Sequence, residues 1–444
     1  MALSIPFVSR PTIAAGGDEP PSPSMAPAWQ WQALILRFGF LSTGSLMLFW
    51  ASKIWERGQI AINHEVIVLT IGLYVMGFLL LGLAMLNVSR LARYIAIIPM
   101  AALIGLAFNF YVTIEISTPS YGTDTLALSH VAAETLLAGD NPFSVQGQET
   151  VIAASERFGL PATFVTPKTD GESIDRLLSW PAGHFLPFVP ALKLGITDLR
   201  WVVGFVEVLT FLLLWWKAPP ALRPLTFLPI LIDPDLGVNY PAGGVTDFIW
   251  VLPLVGTALS LKERRYVLAA VLFGVAAAIK QQPWILAPFL MIWVWHDYAA
   301  LTLQTRLTAV ARFASVAAAS FLAINLPFIV WDAESWLASV LLPARDQLIP
   351  FGSGISMLTQ VGIAQLPKHF YTIASLGVWA ILVLAYAIHF RALKLAIWLF
   401  PAIVLWFGYR SLQNYFIFWT PMLLVALFFW WEETSKNQEP SAAA

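Results

Sequence analysis

Four long apolar runs, Val66 to Val88, Tyr94 to Ile116, Phe313 to Trp331 and Tyr371 to Phe390, constrain this chain more than anything else in it. A helix rises 1.5 Å per residue, so about 20 residues cross roughly 30 Å of hydrocarbon, and each run is close to that length. Inside a bilayer every backbone amide needs an internal partner, which leaves only helices and closed barrels. Barrel strands alternate polar and apolar positions over segments of about 10 residues, and these runs do not alternate. Charged residues are 11% of the chain and apolar residues 58%, where a soluble domain carries about 25% charge. The expectation is an all-α, polytopic transmembrane bundle of about 11–13 spans.

Spans are expected near 32–53, 66–88, 93–117, 199–216, 245–261, 265–280, 283–298, 306–331, 370–390, 393–409 and 413–432. Two shorter apolar pieces, His184 to Leu194 and Leu222 to Ile232, rise only about 16 Å as helix and are broken by Pro187, Pro190, Pro224 and Pro229. Each is readable as a broken span or as a re-entrant segment. Residues 1–30, rich in Pro, Gly, Ser and Ala, read as a disordered cytoplasmic tail with no signal-peptide core. The transmembrane region then covers 31–432, and 433–444 forms a second cytoplasmic tail. No internal repeat is evident.

Basic residues in short loops set orientation. Arg90 and Arg93, Lys262 with Arg264 and Arg265, Arg306 and Arg312, and Arg391 with Lys394 fall in alternate connections if one of the two short pieces crosses and the other does not. A cytoplasmic N-terminus follows, with Lys53 and Arg57 as exceptions beside Glu56 and Glu65. The loop 119–182 then lies on the extracytoplasmic side. Cysteine is absent, which excludes disulfides, thiolate catalysis and Cys-ligated metal. A net charge of −1 gives no sign of a nucleic-acid partner.

Within that loop Tyr121-Gly122-Thr123-Asp124 leads into a short amphipathic helix that stops at Gly139-Asp140-Asn141-Pro142-Phe143. Long ordered loops in compact proteins usually carry function. The same parity places Asp247, Lys280, Arg345, Asp346, Arg410, Gln413 and Asn414 on the Asp124 side. Carboxylates and cations gathered on one face suggest a site for an anionic substrate. Plainer readings stand beside this one. Asp124 and Asp247 suit helix caps, and Lys280 suits a snorkelling cation at a helix C-terminus. Arg345 and Arg410 suit headgroup anchors, and His184 suits an interfacial loop. His130 lies six residues beyond Asp124, roughly 240° around the helix, and shares a face with Glu134, so it reads as a surface or packing residue.

These residues resemble GT-C glycosyltransferases, most closely the bacterial polyprenyl-phosphate-mannose-dependent mannosyltransferases. The resemblance rests on Asp124 in the first long outer loop, on the helix ending Leu137-Ala138-Gly139-Asp140-Asn141-Pro142-Phe143, and on Trp180-Pro181 before Pro187. Asp247 after Gly243-Gly244 and Lys280 before Gln281-Gln282-Pro283 extend it over roughly 119–290, with echoes at Asn325-Leu326-Pro327-Phe328 and Asn414-Tyr415. Two departures stand out. Ala182 replaces the second proline of the family's Tyr/Trp-Pro-Pro element, and two spans precede the usual first core span.

The resemblance implies an inverting, metal-independent transfer with no cofactor beyond the lipid-linked donor. The donor is a polyprenyl-phosphate sugar, with mannose the first choice, and the acceptor a glycan, glycolipid or protein hydroxyl. Asp124 is the implied general base, with Lys280, then Arg345 or Arg410, on the donor phosphate. Tyr121, Asp247, His184 and Asn414 are the remaining substrate-binding candidates, and membrane lipids the surroundings. A transporter using Asp124, Asp247 and Lys280 as ligands is the rival reading, and an accessory subunit without activity a third.

Overall fold

The computed structural model describes residues 28–56, 64–117, 120–159, 166–167, 174–175, 178–341, 343 and 349–438. Six of its helices contain stretches long and apolar enough to cross a membrane: Ala33–Ile54, Val66–Ala84, Ile97–Glu115, Leu303–Trp331, Lys368–Ile388 and Asn414–Thr434. Their outward surfaces are apolar. Lys368–Ile388 has only 11% of its span buried inside the bundle, an area of exposed Leu and Ile that suits hydrocarbon and not water. Shorter apolar helices, among them Phe248–Lys262 and Tyr266–Ile279, pack into a core around Trp250, Trp293, Trp398 and Trp419.

Polar contacts at the helix ends fix which ends share a face. At one face Arg37 donates to the carbonyls of Ala84 and Leu86, Lys217 pairs with Glu263 at 2.6 Å, Lys262 pairs with Glu432, and Tyr266 donates to Asp297 at 2.9 Å. At the other face Arg200 reaches the carbonyls of Ala242 (3.4 Å) and Ile114 (3.5 Å), and Asn414 donates to Asp247 at 3.1 Å. Helices Arg200–Lys217 and Phe248–Lys262 therefore run parallel, and the chain between them must return across the bundle.

It returns as a broken pass. Arg223–Leu225, Leu228–Ile232, the wide-turn segment Asp235–Asn239 and Tyr240–Gly243 follow one another, interrupted where Pro224, Pro229, Pro234 and Pro241 remove amide donors. The piece His184 to Leu194 stays at the Asp124 face, since its continuation reaches Arg200 there through Leu199, which donates to Tyr121 at 3.3 Å. The piece Leu222 to Ile232 thus belongs to a segment that runs from one end of the bundle to the other, whereas His184 to Leu194 stays at one end.

The loop 119–182 is largely folded among its described residues. Helix Asp124–Ala138 ends at Gly139, whose φ of 95° is the left-handed conformation that glycine supplies at a helix stop. Ser144 then caps helix Val145–Ser155 by accepting Gly147 N–H at 3.0 Å. Thr166–Pro167 and Ile174–Asp175 pair antiparallel. A second pair, Phe351–Gly352 with Arg410–Ser411, runs parallel and ties the later loop to the last turn at this face.

The two leading helices, Ala28–Glu56 and His64–Ala84, cross closely because both interface positions lack a side chain. A Cβ on either Gly44 or Gly77 would lie 3.0 Å from the other's carbonyl oxygen. Both tail boundaries shift. The first helix begins at Ala28, inside the expected tail, and the last, Thr420–Gln438, runs past 432, where Glu432 pairs with Lys262. Residues 1–27 and 439–444, the bulk of both expected tails, lie outside the described residues.

Candidate active site

The site is built where three separate parts of the chain meet the start of helix Asp124–Ala138. Thr123 occupies the N-cap position in extended conformation, φ −138° and ψ 153°, but its hydroxyl does not cap the helix. It donates to the Gly244 carbonyl at 2.8 Å, while Gly122 N–H donates to the Gly243 carbonyl at 2.8 Å. Asp124 is thus the first helical residue and not the cap. Its carboxylate sits at the positive end of the helix dipole and accepts the Thr125 hydroxyl at 3.4 Å.

His184 ties the same helix to the next segment. Its Nδ1 lies 2.7 Å from Ser129 Oγ and its Nε2 2.9 Å from Thr246 Oγ1. Ser129 already gives its only hydrogen to the Thr125 carbonyl at 2.7 Å. It can only accept from His184, which assigns the proton to Nδ1 and makes Nε2 the acceptor for Thr246. Trp180 stacks on the imidazole at 4.4 Å and 15°. Burial, and then the charge on Lys280, hold the His184 pKa well below its ordinary value, so the ring is neutral.

Asp247 is the centre of the buried polar cluster. It is 0% exposed, with Oδ1 accepting Lys280 Nζ at 2.8 Å and Trp250 Nε1 at 2.6 Å, and Oδ2 accepting Asn414 Nδ2 at 3.1 Å. Although Asp247 immediately precedes helix Phe248–Lys262, it makes no capping bond. Lys280, just past helix Tyr266–Ile279, does not snorkel to the surface either. Its side chain is 7% exposed, pointing inward at Asp247 with Tyr415 5.9 Å from the ammonium. One ammonium N–H goes to Asp247, and two have no protein acceptor among the described residues.

The Trp180-Pro181 element reaches the cluster through two close contacts. A Cβ at Gly183 would lie 2.6 Å from the Ala278 carbonyl oxygen, two residues before Lys280. Ala182 N–H donates to Asn325 Oδ1 at 2.8 Å. A proline at 182 has no such hydrogen and would lose this bond.

Asp247, Lys280, Asn414 and His184 are therefore brought together next to the Asp124 turn. Tyr121 is not part of that cluster. It is 3% exposed, stacked on Phe158 at 4.4 Å, and its hydroxyl accepts from Leu199 and donates to His130 Nδ1 at 2.9 Å. Burial raises the phenol pKa and lowers that of His130, which also pairs with Glu134 at 3.3 Å. Both residues brace the loop. Arg410 lies on the strand pair beside Phe351, four residues before Asn414. Arg345 lies outside the described residues.

Sequence reasoning passed over Ser129, Thr246 and Trp250. Thr246 adjoins Asp247 and was within reach as its neighbour, whereas Ser129 and Trp250 carry no signal until the helices are packed. No family model, curated protein or solved structure matches this chain.

Proposed function

We propose that the chain is a membrane glycosyltransferase that moves a sugar, mannose as first candidate, from a polyprenyl-phosphate donor to a hydroxyl on a glycan- or lipid-linked acceptor. The observation that carries this reading is the single polar assembly beside Asp124. A carboxylate on a loop helix adjoins a buried Asp247–Lys280–Asn414 cluster, contributed by segments far apart in sequence. On this reading that face is extracytoplasmic.

In the reaction the acceptor oxygen bonds to the anomeric carbon from the face opposite the phosphate, with inversion. Its proton passes to the Asp124 carboxylate. The bond between anomeric carbon and phosphate oxygen breaks, and its electron pair leaves with polyprenyl phosphate. Positioned proton transfer of this kind contributes about 10²–10⁴ in rate. Lys280 supports the leaving phosphate through the two N–H groups that Asp247 does not take. Asp247 balances its charge, so Lys280 acts through hydrogen bonding more than through a net positive field. Arg410, four residues before Asn414, is the second cation for the phosphate. Asp247 and Asn414 hold the ammonium in place, and His184 fixes the helix that carries Asp124.

Purified protein in liposomes, given a radiolabelled polyprenyl-phosphate sugar and a membrane extract as acceptor, is expected to pass label to the acceptor and release polyprenyl phosphate. Uptake of a solute with no label transfer would instead identify a transporter.

A further inference from the structure

A second site lies at the far end of the Asp124 helix. A cleft of about 340 Å³ is lined by residues of the segment 140–150, Gln146 among them, and by Trp331 and Asp332. It forms where the helix stop after Ala138 meets the junction of helices Leu303–Trp331 and Ala333–Val340. Helix Asp124–Ala138 has 15 residues, which puts the cleft roughly 22 Å from Asp124 along the helix axis.

The walls are held by the protein itself. Gln148 donates to the Ser339 hydroxyl at 3.0 Å, joining the loop helix to helix Ala333–Val340, and exchanges bonds with the backbone of Leu178. A Cβ on Gly147 would come within 2.0 Å of the Asn141 carbonyl oxygen, so the first turn of helix Val145–Ser155 sits directly on the stop. The cleft needs no rearrangement to exist.

Its chemistry is selective. Asn141 is 5% exposed and accepts Phe143 N–H through Oδ1 at 3.0 Å, which fixes the amide's orientation. Its Nδ2 is buried with no partner. Asn141 lines the cleft, and its unsatisfied amide marks that wall as polar. Asp140 and Asp332 supply carboxylates for incoming hydroxyl donors. The Asp332 carboxyl is held below its ordinary range by the Ser335 amide that it caps, so it is ionised. Trp331, 50% exposed, adds an aromatic residue to the lining. Among the described residues neither Lys nor Arg lines the cleft, which disfavours phosphate. An unpaired N–H donor and only two lining carboxylates disfavour a divalent cation, and among the described residues no three such side chains form a metal cluster.

We propose that this cleft binds a neutral saccharide unit, whose hydroxyls both donate and accept and whose ring face packs on Trp331. The proposal deepens the transferase reading by adding a subsite for sugar beyond the reacting one, and it is tested apart from turnover. Saturation-transfer NMR on the full chain in phosphatidylcholine nanodiscs, with methyl α-mannopyranoside and methyl β-galactopyranoside as probes, reads binding directly. A parallel set of discs carries a glycosyl diacylglycerol. Signal in plain discs identifies a free glycan as the source, and signal only with the glycolipid identifies a lipid-borne headgroup.

Trp331→Ala and the cleft-filling Gln146→Trp, at an exposed position, are expected to weaken binding by about tenfold or more, while Asp124→Asn leaves it intact. Absence of binding for every probe overturns the saccharide cleft, as does binding that both cleft variants leave unchanged. Either result leaves the Asp124 chemistry to be judged by transfer alone.

Discussion

Asp247 and Lys280, 33 residues apart in the chain, meet at 2.8 Å with side chains 0% and 7% exposed. Removing one partner of a buried pair leaves an uncompensated charge, which typically costs about 3–5 kcal/mol, whereas removing both costs far less. Asp247→Asn and Lys280→Met are each expected to lower thermal stability in detergent by an amount of that order. The double variant recovers much of the loss. Additive losses in the double-mutant cycle would show that the two charges are not energetically coupled.

His184 gives the site an acid limit. Its folded pKa is depressed by burial and then by Lys280, while the unfolded chain titrates near the ordinary 6.5. As pH falls below about 6.5 the unfolded state takes up a proton that the folded state resists, so stability drops until the lower folded pKa is reached. Each proton of difference contributes a slope of about 1.4 kcal/mol per pH unit. His130, depressed by burial, acts in the same direction. Thermal unfolding from about pH 7.5 to 5 is expected to show this loss, and His184→Gln to make it shallower. An unchanged slope in that variant rules out His184 as its source.

Sidedness can be measured cleanly, because the chain has no native cysteine. Glu149 is exposed on the loop helix at the Asp124 face, and Arg265, 63% exposed, lies at the opposite face beside Glu263. In intact cells an impermeant maleimide is expected to label Glu149→Cys directly and Arg265→Cys only after permeabilisation. The reverse pattern would put the proposed active face in the cytoplasm.

The long spans were legible because hydrocarbon demands length and apolarity, both of which are local. The broken pass from Arg223 to Gly243 was only half legible. Its prolines announced a break, but only the parallel course of its flanking helices requires a crossing. Asp247 and Lys280 were each legible as site candidates, but their pairing was not, since a pair 33 positions apart leaves no mark in local patterning. Ala182 looked like a defect in a motif until Asn325, 143 residues away, accepted its amide hydrogen. Tyr121 shows the opposite outcome. Its place beside Asp124 in sequence suggested a shared site, yet extended backbone turns the two apart and Phe158 claims its ring.

On the proposed reading Asp124 takes the acceptor's proton. The most direct test is transfer from a radiolabelled polyprenyl-phosphate sugar by Asp124→Asn, which preserves shape and removes the base. This variant is expected to keep wild-type thermal stability and to transfer sugar about 10²-fold more slowly or worse. Turnover near the wild-type rate in that variant would contradict that reading.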